Sequence, residues 1–253
     1  IATGYSPSMV IMGGGYDPCE DDDPITNTCR SSSKGNRVYV MDGETGALLN
    51  GTNPFVTDRG VAADVFVVPD QTTGLALYAY AVDLGGNIYR ISGAGNTPFG
   101  STNPNTWIMT KIASLGCDTT ALCTPNRKFM FAPDVVEDGG TYFILVGSGD
   151  REKPLLGYDS AAAVTNYFFM VKDVPASATW LTSEITGGGA CGSAVMCLNS
   201  LLEIPLDGDD PEADDLATHK GWYLGLHDAE QVVTAPNTVS GTTNFSTHQP
   251  TVP

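Results

Sequence analysis

The stretch Gly35-Asn-Arg-Val-Tyr-Val-Met-Asp-Gly-Glu-Thr-Gly-Ala-Leu-Leu49 decides the fold class. A run rich in β-branched and aromatic residues leads into a compact turn, and a second apolar run follows that turn. Asp42 is suited to accept hydrogen bonds from the backbone that follows it, while Gly43 or Gly46 can take a positive φ angle. The stretch therefore predicts a strand, a tight turn and a returning strand.

Two later stretches also combine a glycine-containing turn with a strand-like run. Asp83-Leu-Gly-Gly-Asn-Ile-Tyr-Arg-Ile91 places a Gly-Gly-Asn turn before an aromatic strand, and Tyr142–Gly149 is followed, after an insertion, by Asn166-Tyr-Phe-Phe-Met-Val171. Recurrence at a spacing of roughly 40–50 residues is typical of β-propeller blades. Because one blade cannot bury both of its faces alone, each blade needs neighbours.

Short strand-like runs continue along the whole chain and predict an all-β protein. Most have four to eight residues and are bordered by Gly, Pro, Asn or Asp. The predicted strands are Met9–Met12, Arg37–Met41, Ala63–Val68, Leu75–Val82, Asn87–Ile91, Trp107–Ile112, Lys128–Phe131, Tyr142–Gly147, Tyr167–Lys172, Gly221–Leu226 and Gln231–Thr234. No segment shows amphipathic helical periodicity over 12 or more residues, and the nearest candidates for a helical turn are Ser177–Glu184 and Pro211–Lys220.

The charge balance excludes some classes of partner. The 253 residues carry 12 Lys plus Arg against 29 Asp plus Glu, a net charge of -17. A phosphate backbone needs a cationic surface, so no nucleic-acid partner is expected. No run reaches the roughly 18 apolar residues of a membrane span. The chain begins with Ile1 and shows no signal peptide, so we expect a processed or partial product.

The six cysteines fall into three pairs that are close in sequence. They are Cys19 and Cys29, Cys117 and Cys123, and Cys191 and Cys197. Zinc sites use C-x2-4-C knuckles or Cys mixed with His, and neither spacing occurs here. We therefore expect three local disulfides, with free or differently paired thiols as the alternative. Disulfides imply an oxidising compartment, namely the periplasm, the cell surface or the exterior.

Other polar groups are interpreted mainly as solvated surface. Acid clusters lie around the first cysteine loop (Asp17, Glu20, Asp21, Asp22, Asp23) and at Asp207, Asp209, Asp210, Asp214 and Asp215. Blocks of like charge usually remain in water, and a loose Ca²⁺ site is the alternative. The stretch Arg151-Glu152-Lys153 is interpreted as a solvated turn, with an interaction patch as the alternative. The histidines His219, His227 and His248 match no metal motif.

Several segments, in order, resemble the PilY1/PilC family of type IV pilus biogenesis factors and tip adhesins. They are Val10-Ile-Met-Gly-Gly-Gly-Tyr-Asp17, the Gly35–Leu49 hairpin, Val61–Val68, Ala81–Arg90, Val146–Leu155, Gly221-Trp-Tyr-Leu, Glu230-Gln-Val-Val-Thr and Phe245–Pro250. The resemblance covers the later part of that family's C-terminal propeller domain.

The resemblance implies a fold, a role and a location. Residues 1–253 are expected to form a single domain, part of a modified seven-bladed propeller of antiparallel blades with long loops, within a longer chain. The implied role is in pilus assembly and surface adhesion. The implied partners are minor pilins at the pilus tip and a host or abiotic surface. The implied location is the cell surface, reached through the periplasm.

One departure from the family concerns calcium. Family members often carry a "DxDGDG" loop, whose alternating oxygen ligands suit Ca²⁺. The corresponding stretch here is Pro69-Asp-Gln-Thr-Thr-Gly-Leu75, in which only Asp70 keeps a carboxylate. Asp70 is therefore the remaining candidate ligand of a degenerate loop. No metal or cofactor is predicted, with Ca²⁺ as the alternative.

No catalytic constellation is visible, so the chain is predicted not to be an enzyme. A propeller enzyme of the quinoprotein dehydrogenase type is one alternative, because such blades carry similar Asp-x-x-Thr-Gly hairpins, although a cofactor pocket would then be required. A structural subunit associated with the filament is the other alternative. The aromatic residues inside strand runs are interpreted as core between blades; they are Tyr39, Phe66, Tyr78, Tyr89, Phe143, Phe168 and Trp222.

Overall fold

A computed structural model describes residues 8–21, 29, 34–100, 102–119, 123, 125–186, 191–206 and 211–250. Its first sheet, sheet 1, contains β1 (Met9–Gly13), β2 (Arg37–Asp42) and β3 (Phe55–Val56), in that order and antiparallel. The Gly35–Leu49 stretch forms β2 and the predicted turn. The apolar run after the turn forms no strand and contributes an isolated bridge between Met41 and Leu48.

Sheet 2 is a four-stranded antiparallel meander. It contains β4 (Phe66–Pro69), β5 (Ala76–Val82), β6 (Asn87–Ser92) and β7 (Ile108–Ser114) in chain order. Both faces of its central strands are covered, since every residue of β6 and the last five residues of β5 are buried. This explains why β5, Ala76-Leu-Tyr-Ala-Tyr-Ala-Val82, reads as a continuous apolar run instead of an alternating pattern.

Sheet 3 has five strands in the order β11-β12-β10-β9-β8. Their bounds are β8 (Asp134–Asp138), β9 (Thr141–Gly147), β10 (Tyr167–Asp173), β11 (Leu202–Ile204) and β12 (Gly221–Gly225). Four strands are antiparallel, and the edge strand β11 pairs with β12 in parallel. The parallel edge departs from the predicted antiparallel blade because the long β10–β12 connection brings β11 back along the sheet.

Short elements complete the described chain. Two strand pairs follow sheet 3, β13 (Gln231–Val232) with β16 (Thr247–His248) and β14 (Asn237–Val239) with β15 (Thr242–Asn244). The helices are α1 (Asp159–Ala162) and α2 (Ala213–Thr218), and the 3-10 turns are Pro18–Glu20, Ala94–Asn96, Pro104–Thr106, Thr182–Ile185 and Leu198–Ser200. No described helix has the length and apolar character to cross a bilayer.

Successive sheets stack face to face, as in a propeller. Ala79 and Ala81 of β5 pack against Val38 and Val40 of sheet 1, while Tyr80 on the other face of β5 packs towards sheet 3. In β10 the same alternation continues, because Phe169 and Val171 join the core shared with sheet 2, whereas Phe168 and Met170 pack towards β13. The all-β, propeller-type prediction is confirmed, and local disulfides are part of that architecture.

Sheet 1 differs because only one of its faces is covered by described residues. The outer face carries Val10, Met12, Tyr39 and Val56, which are 37–50% exposed. The register places Met12 opposite Tyr39, so these side chains share one face. The prediction that Tyr39 belongs to a core between blades is therefore wrong for the described chain. Tyr78, Tyr89 and Phe168 are buried as predicted, whereas Phe66, Phe143 and Trp222 are half-buried.

One predicted strand is absent. Lys128–Phe131 is extended but joins no ladder, because its backbone bonds go to turns of two different sheets. Phe129 donates to Asp83, and Gly149 donates to the Lys128 carbonyl. Strands β3, β8, β11, β14 and β15 were not predicted, because they are short or, like β8, rich in acidic residues, whereas β16 lies within Phe245–Pro250, which resembles a C-terminal strand of the family.

The connections between strands meet at two opposite ends of the sheets. Because the chain runs up and down, every second connection reaches the same end. The connections β1–β2, β3–β4, β5–β6, β7–β8 and β9–β10 meet at what we call the network end. The turn β4–β5 and the connection β6–β7 lie at the other end, which we call the groove end.

Candidate functional site

The cysteines form the three disulfides Cys19–Cys29, Cys117–Cys123 and Cys191–Cys197. The first two lie within the β1–β2 and β7–β8 connections at the network end, and the third lies in the β10–β12 connection. Sulfur atoms of Cys19 and Cys29 approach the carboxylate of Glu20 closely enough to suggest a metal site. Because the two sulfurs are bonded to each other, they are not thiolate ligands.

Asp70 caps a turn. Its Oδ1 accepts hydrogen bonds from the backbone N–H groups of Thr72 and Thr73, at 3.0 and 2.7 Å, and from the Thr73 hydroxyl at 2.8 Å. These bonds lower the pKa of Asp70. Asp42 makes the same set with Glu44 and Thr45. The two Asp-x-x-Thr-Gly stretches therefore form the same capped turn, and each needs its carboxylate for the backbone.

The acid cluster of the first cysteine loop does not lie wholly in solvent. Asp17 and Glu20 are 7% and 2% exposed, whereas Asp21 is exposed. Asp22, Asp23, Asp207, Asp209 and Asp210 lie outside the described residues. Asp214 and Asp215 are exposed in the first turn of α2, where negatively charged side chains interact favourably with the helix dipole. Solvated surface is thus wrong for Glu20, because cations from other loops surround it.

Glu20 is the centre of a buried ion network at the network end. Its Oε1 accepts a hydrogen bond of 2.9 Å from Nε of Arg59 and a second one from Nη2. Nζ of Lys128 lies 3.0 Å from Oε2 of Glu20 and 2.8 Å from Oδ2 of Asp150. Arg59, Lys128 and Asp150 are all buried, at 7–9% exposure. The β1–β2, β3–β4, β7–β8 and β9–β10 connections are joined in this way.

Lys153 extends this network. Its Nζ donates to the Glu20 carbonyl at 2.5 Å and lies 3.4 Å from Oδ2 of Asp150. Gln231 accepts from the Asp150 backbone at 2.7 Å and donates to the Lys153 carbonyl at 3.1 Å. Lys153 is 3% exposed, so the solvated-turn interpretation is wrong for it, although Arg151 and Glu152 do face solvent.

Asp83 supports the network from the β5–β6 turn. The carboxylate is fully buried and accepts hydrogen bonds from Arg59 N, Gly85 N, Asn87 N, Asn87 Nδ2 and the Tyr89 hydroxyl. Burial raises the pKa of Asp83, and these donors oppose the rise. Gly86 has a φ of 73°, and a Cβ there would lie 2.4 Å from Cα of Gly116. Glycine at this turn thus permits the close approach of the β7–β8 connection.

The arrangement holds loops together and leaves its charged groups engaged with one another. Three buried cations, on Arg59, Lys128 and Lys153, face the carboxylates of Glu20 and Asp150, with Asp83 behind Arg59. Removal of any partner leaves an uncompensated buried charge, which is costly. Sequence reasoning missed this network because most of its contacts join residues far apart in the chain, such as Lys128 with Asp150 (22 residues) and Lys153 with Glu20 (133 residues). The sequence did offer one signal of this network. Only 12 Lys and Arg residues occur in the chain, so each of them is a candidate partner for a carboxylate.

A second buried pair joins sheets 2 and 3. Nη1 of Arg90 lies 2.7 Å from both carboxylate oxygens of Asp173, and the Tyr80 hydroxyl donates to Asp173 at 2.9 Å. Arg90 and Asp173 are 2% and 0% exposed. Nη2 of Arg90 donates to Asn96 in the β6–β7 connection, which places this pair towards the groove end.

The histidines make separate contacts. His219 ends α2, where Nδ1 contacts the Asp215 carbonyl at 2.8 Å, and Nε2 of exposed His248 contacts the Pro154 carbonyl at 3.0 Å. His227 lies in an exposed loop, where its backbone N–H donates to the Glu230 carboxylate. Among the described residues, no histidine joins a cluster of metal-binding groups.

An apolar groove of about 380 Å³ lies at the groove end, between sheets 1 and 2. One wall is β1, with Met9 and Ile11, and the other wall contains Val67 of β4 and Leu75 of the β4–β5 turn. The complete lining is Ser8, Met9, Ile11, Val67, Gly74, Leu75, Ala76, Phe99, Gly100, Thr102 and Trp107. No lining residue carries a charge, although the chain has a net charge of -17.

Ring stacking and side-chain hydrogen bonds hold the floor of the groove together. Phe99 and Trp107 stack with ring centroids 4.0 Å apart, and both are at least 96% buried. Nε1 of Trp107 donates to the Thr102 hydroxyl at 2.9 Å, and that hydroxyl donates to the Phe99 carbonyl at 2.5 Å. Such a preformed, mostly apolar concavity with few polar groups is the usual form of a binding site.

Comparison with known proteins identifies the fold. No protein-family model matches the sequence, and no curated protein matches it. Among solved structures, the chain is similar to the C-terminal domain of Pseudomonas aeruginosa PilY1, with a TM-score of 0.60 and 18% sequence identity. The match covers 96% of this chain and 53% of that structure, so the chain spans about half its length. The predicted resemblance is thus confirmed at the level of the fold.

Proposed function

We propose that this chain is part of a protein associated with type IV pili, which acts in pilus assembly and in adhesion to surfaces. The observation that carries this proposal is the likeness to the PilY1 C-terminal domain over 96% of the chain. The ordered sequence segments and the three disulfides, which are typical of exported proteins, support it. Minor pilins at the tip and a host or abiotic surface are the proposed partners.

The proposed role is one of support and binding, without catalysis. The buried charges at the network end pair with one another and tie loops together, and a rigid loop scaffold suits a presenting surface. The Asp-x-x-Thr-Gly stretches, which raised the quinoprotein alternative, use Asp42 and Asp70 as turn caps. An absorbance spectrum of the native protein tests this point, because a quinone band would overturn the non-enzymatic role.

Gene disruption tests the proposed function. An in-frame deletion of the coding region for residues 1–253 is expected to abolish or sharply reduce surface pili and attached cells. The matched control is the exposed substitution Leu155→Asp, which lies outside the network and the groove and should leave both readouts unchanged. Normal piliation together with normal adhesion in the deletion strain would reject the proposal.

Localisation separates the tip role from the alternative of a filament subunit. Immunogold labelling of an epitope-tagged parent protein is expected to place label at the ends of pili. Label along the whole filament would favour a structural subunit instead. The proposed location at the cell surface requires that label to be accessible on intact cells.

A further inference from the structure

Lys128 and Asp150 are held side by side at the network end. The backbone N–H of Gly149 donates to the Lys128 carbonyl at 3.0 Å, so the two chain segments are neighbours there. Nζ of Lys128 lies 2.8 Å from Oδ2 of Asp150, and the two residues are 8% and 9% exposed. Because Oδ2 is bonded to Cγ, the amine nitrogen is also within about 4 Å of that carboxyl carbon. A nucleophile and a carboxyl carbon therefore meet in a buried, positioned pair.

Glu20 adds a second carboxylate to this pair. Its Oε2 lies 3.0 Å from Nζ of Lys128, while its Oε1 is held by Arg59. The amine nitrogen thus contacts one carboxyl group with which it can react and a second one that can take a proton from it. A carboxylate at hydrogen-bonding distance from the group that loses a proton has the geometry of a general base.

Other buried pairs lack one of these components. Arg90 pairs with Asp173 through a guanidinium group, which does not lose its proton. Lys220 pairs with Glu184, and the described residues place no second carboxylate in an ion pair with its nitrogen. Among the ion pairs between described residues, Lys128 is the lysine whose nitrogen contacts two carboxylates.

The second carboxylate oxygen of Asp150 is buried, and it accepts no hydrogen bond from the described residues. An unpaired oxygen of a charged carboxylate is costly to bury, whereas the oxygen of a neutral amide costs less. Conversion of the ammonium and the carboxylate into an amide also removes two charges from the buried interior. Both effects favour an amide over the ion pair at this position.

We propose that Lys128 and Asp150 condense spontaneously to an intramolecular amide bond, with Glu20 as the general base. One proton moves from the Lys128 ammonium to Oδ2 of Asp150, which gives a neutral amine and a carboxylic acid. Nζ then forms a bond to Cγ, and Glu20 accepts the second amine proton and returns it to Oδ2. The Cγ–Oδ2 bond breaks and water leaves. Oδ1 remains as the amide oxygen and Glu20 regains its carboxylate, so the reaction needs no oxidant or cofactor.

The fold supplies the activation that this condensation needs. An amine and a carboxyl group held in contact react as if at a very high local concentration. Nζ of Lys153 lies 3.4 Å from Oδ2 of Asp150, where its charge stabilises the negative charge that develops on that oxygen. The reaction occurs once in each chain, so it is a maturation step and not enzymatic turnover.

The amide closes the part of the chain that contains β8 and β9. None of the three disulfides spans these strands, which belong to sheet 3. Unlike a disulfide, an amide is not broken by reducing agents. The inference concerns the chemistry of this chain itself and does not depend on the proposed role in pili.

Tryptic peptide mapping of the purified native protein, after reduction of its disulfides, is the direct test. Trypsin cuts after Lys and Arg, and neither occurs between Lys128 and Arg151. An amide on Lys128 blocks the cut there, so we expect a peptide of residues 128–151 with the mass of its linear form less one water. Chymotrypsin, which cuts at the aromatic residues inside this ring, should leave the two ends joined. A linear peptide of residues 129–151 with its full mass would overturn the proposal.

Other losses of water give different peptides. Cyclisation of Asp150 on its own backbone also removes one water, but it leaves Lys128 open to trypsin. An amide from Lys153 joins the peptide of residues 129–151 to Glu152-Lys153. Either of these products in place of the cyclic 128–151 peptide would overturn the proposal.

Matched variants assign the roles. Lys128→Arg keeps the positive charge and should abolish the cyclic peptide. The control is Lys111→Arg, because Nζ of Lys111 lies 2.7 Å from Oδ2 of Asp58 in an exposed pair, and this variant should cyclise as the native protein does. Glu20→Gln keeps the shape of the side chain and should lower the cyclic fraction about tenfold or more, because the general base is lost.

Circular dichroism shows which variants fold. A folded Glu20→Gln variant that cyclises completely would overturn the role of Glu20. If Glu20→Gln does not fold, the peptide map of the native protein still decides whether the amide exists. Normal piliation of the deletion strain would reject the proposed function but would not alter this map, so the two failures are separate.

Discussion

The network end and the groove end join sheets 1 and 2 by opposite means. At the network end, Glu20 and Arg59 pair in the buried interior and connect to Lys128. At the groove end, a cavity of about 380 Å³ with an uncharged lining separates the two sheets. Sheets 2 and 3, by contrast, are joined towards this end by Arg90 and Asp173. Among the described residues, sheets 1 and 2 are thus connected through buried ion pairs at one end and separated by an uncharged groove at the other.

The largest effect is expected from breaking the network. Glu20→Gln leaves Arg59 and Lys128 buried without their shared carboxylate, so the free energy of unfolding should fall by about 3–5 kcal/mol. The matched control is the exposed pair Lys111–Asp58, where Asp58→Asn should cost less than about 1 kcal/mol. Urea denaturation monitored by circular dichroism measures both. Similar losses in the two variants would show that the network end is solvated.

A comparison of two disulfides tests the difference between a half-buried and a fully buried disulfide. Cys117–Cys123 and Cys191–Cys197 both have a sequence separation of 6, so loop entropy alone predicts the same loss, about 2 kcal/mol, on replacement of each pair by serine. Cys191 and Cys197 are also 5% and 2% exposed, so their replacement should cost more. Thermal unfolding of the two double variants tests this ranking. A greater loss from the Cys117–Cys123 pair would contradict it.

Removal of the aspartate that caps either Asp-x-x-Thr-Gly turn should have a smaller effect on stability. Asp42→Ala should lower the free energy of unfolding by about 1 kcal/mol, because a buried cap loses three hydrogen bonds. Asp70→Ala should have a smaller effect on the thermal midpoint, since that turn is exposed. Because Asp70 is engaged with its own backbone, added Ca²⁺ should leave the midpoint unchanged. A rise with Ca²⁺ that Asp70→Ala removes would restore a calcium site at this loop.

The smallest effect on stability is expected from the ionisation of Tyr142, which lies between sheets 2 and 3. Burial raises the pKa of Tyr142 from its ordinary value of 10.0 to about 12. Between pH 10 and 12 the unfolded chain loses a proton that the folded chain retains, so stability is complete below pH 10 and falls as the pH rises. Thermal midpoints measured across this range should decline, and Tyr142→Phe should decline less. An unchanged slope in the variant would show that Tyr142 is solvated.

The candidate sites were predictable to different degrees. Local patterns predicted the cysteine pairs, because partners separated by six or ten residues meet through one loop. They also marked Asp70 as an isolated carboxylate. The network and the groove were not predictable in this way, since Glu20 meets Lys153 across 133 residues. Glu20 and Lys153 lay in charged stretches whose surroundings suggested solvent, and only the convergence of loops buries them.

Sequence alone determined the local architecture of this protein. Strands were specified by short apolar runs, hairpins by Asp- and Gly-containing turns, and disulfides by close cysteine pairs. The energetics of these features depend on neighbours in the chain. The tertiary structure alone decided which charges are buried and which carboxylates are engaged as turn caps. Those outcomes depend on how separate sheets stack, because stacking places residues from distant connections in the same water-excluded space.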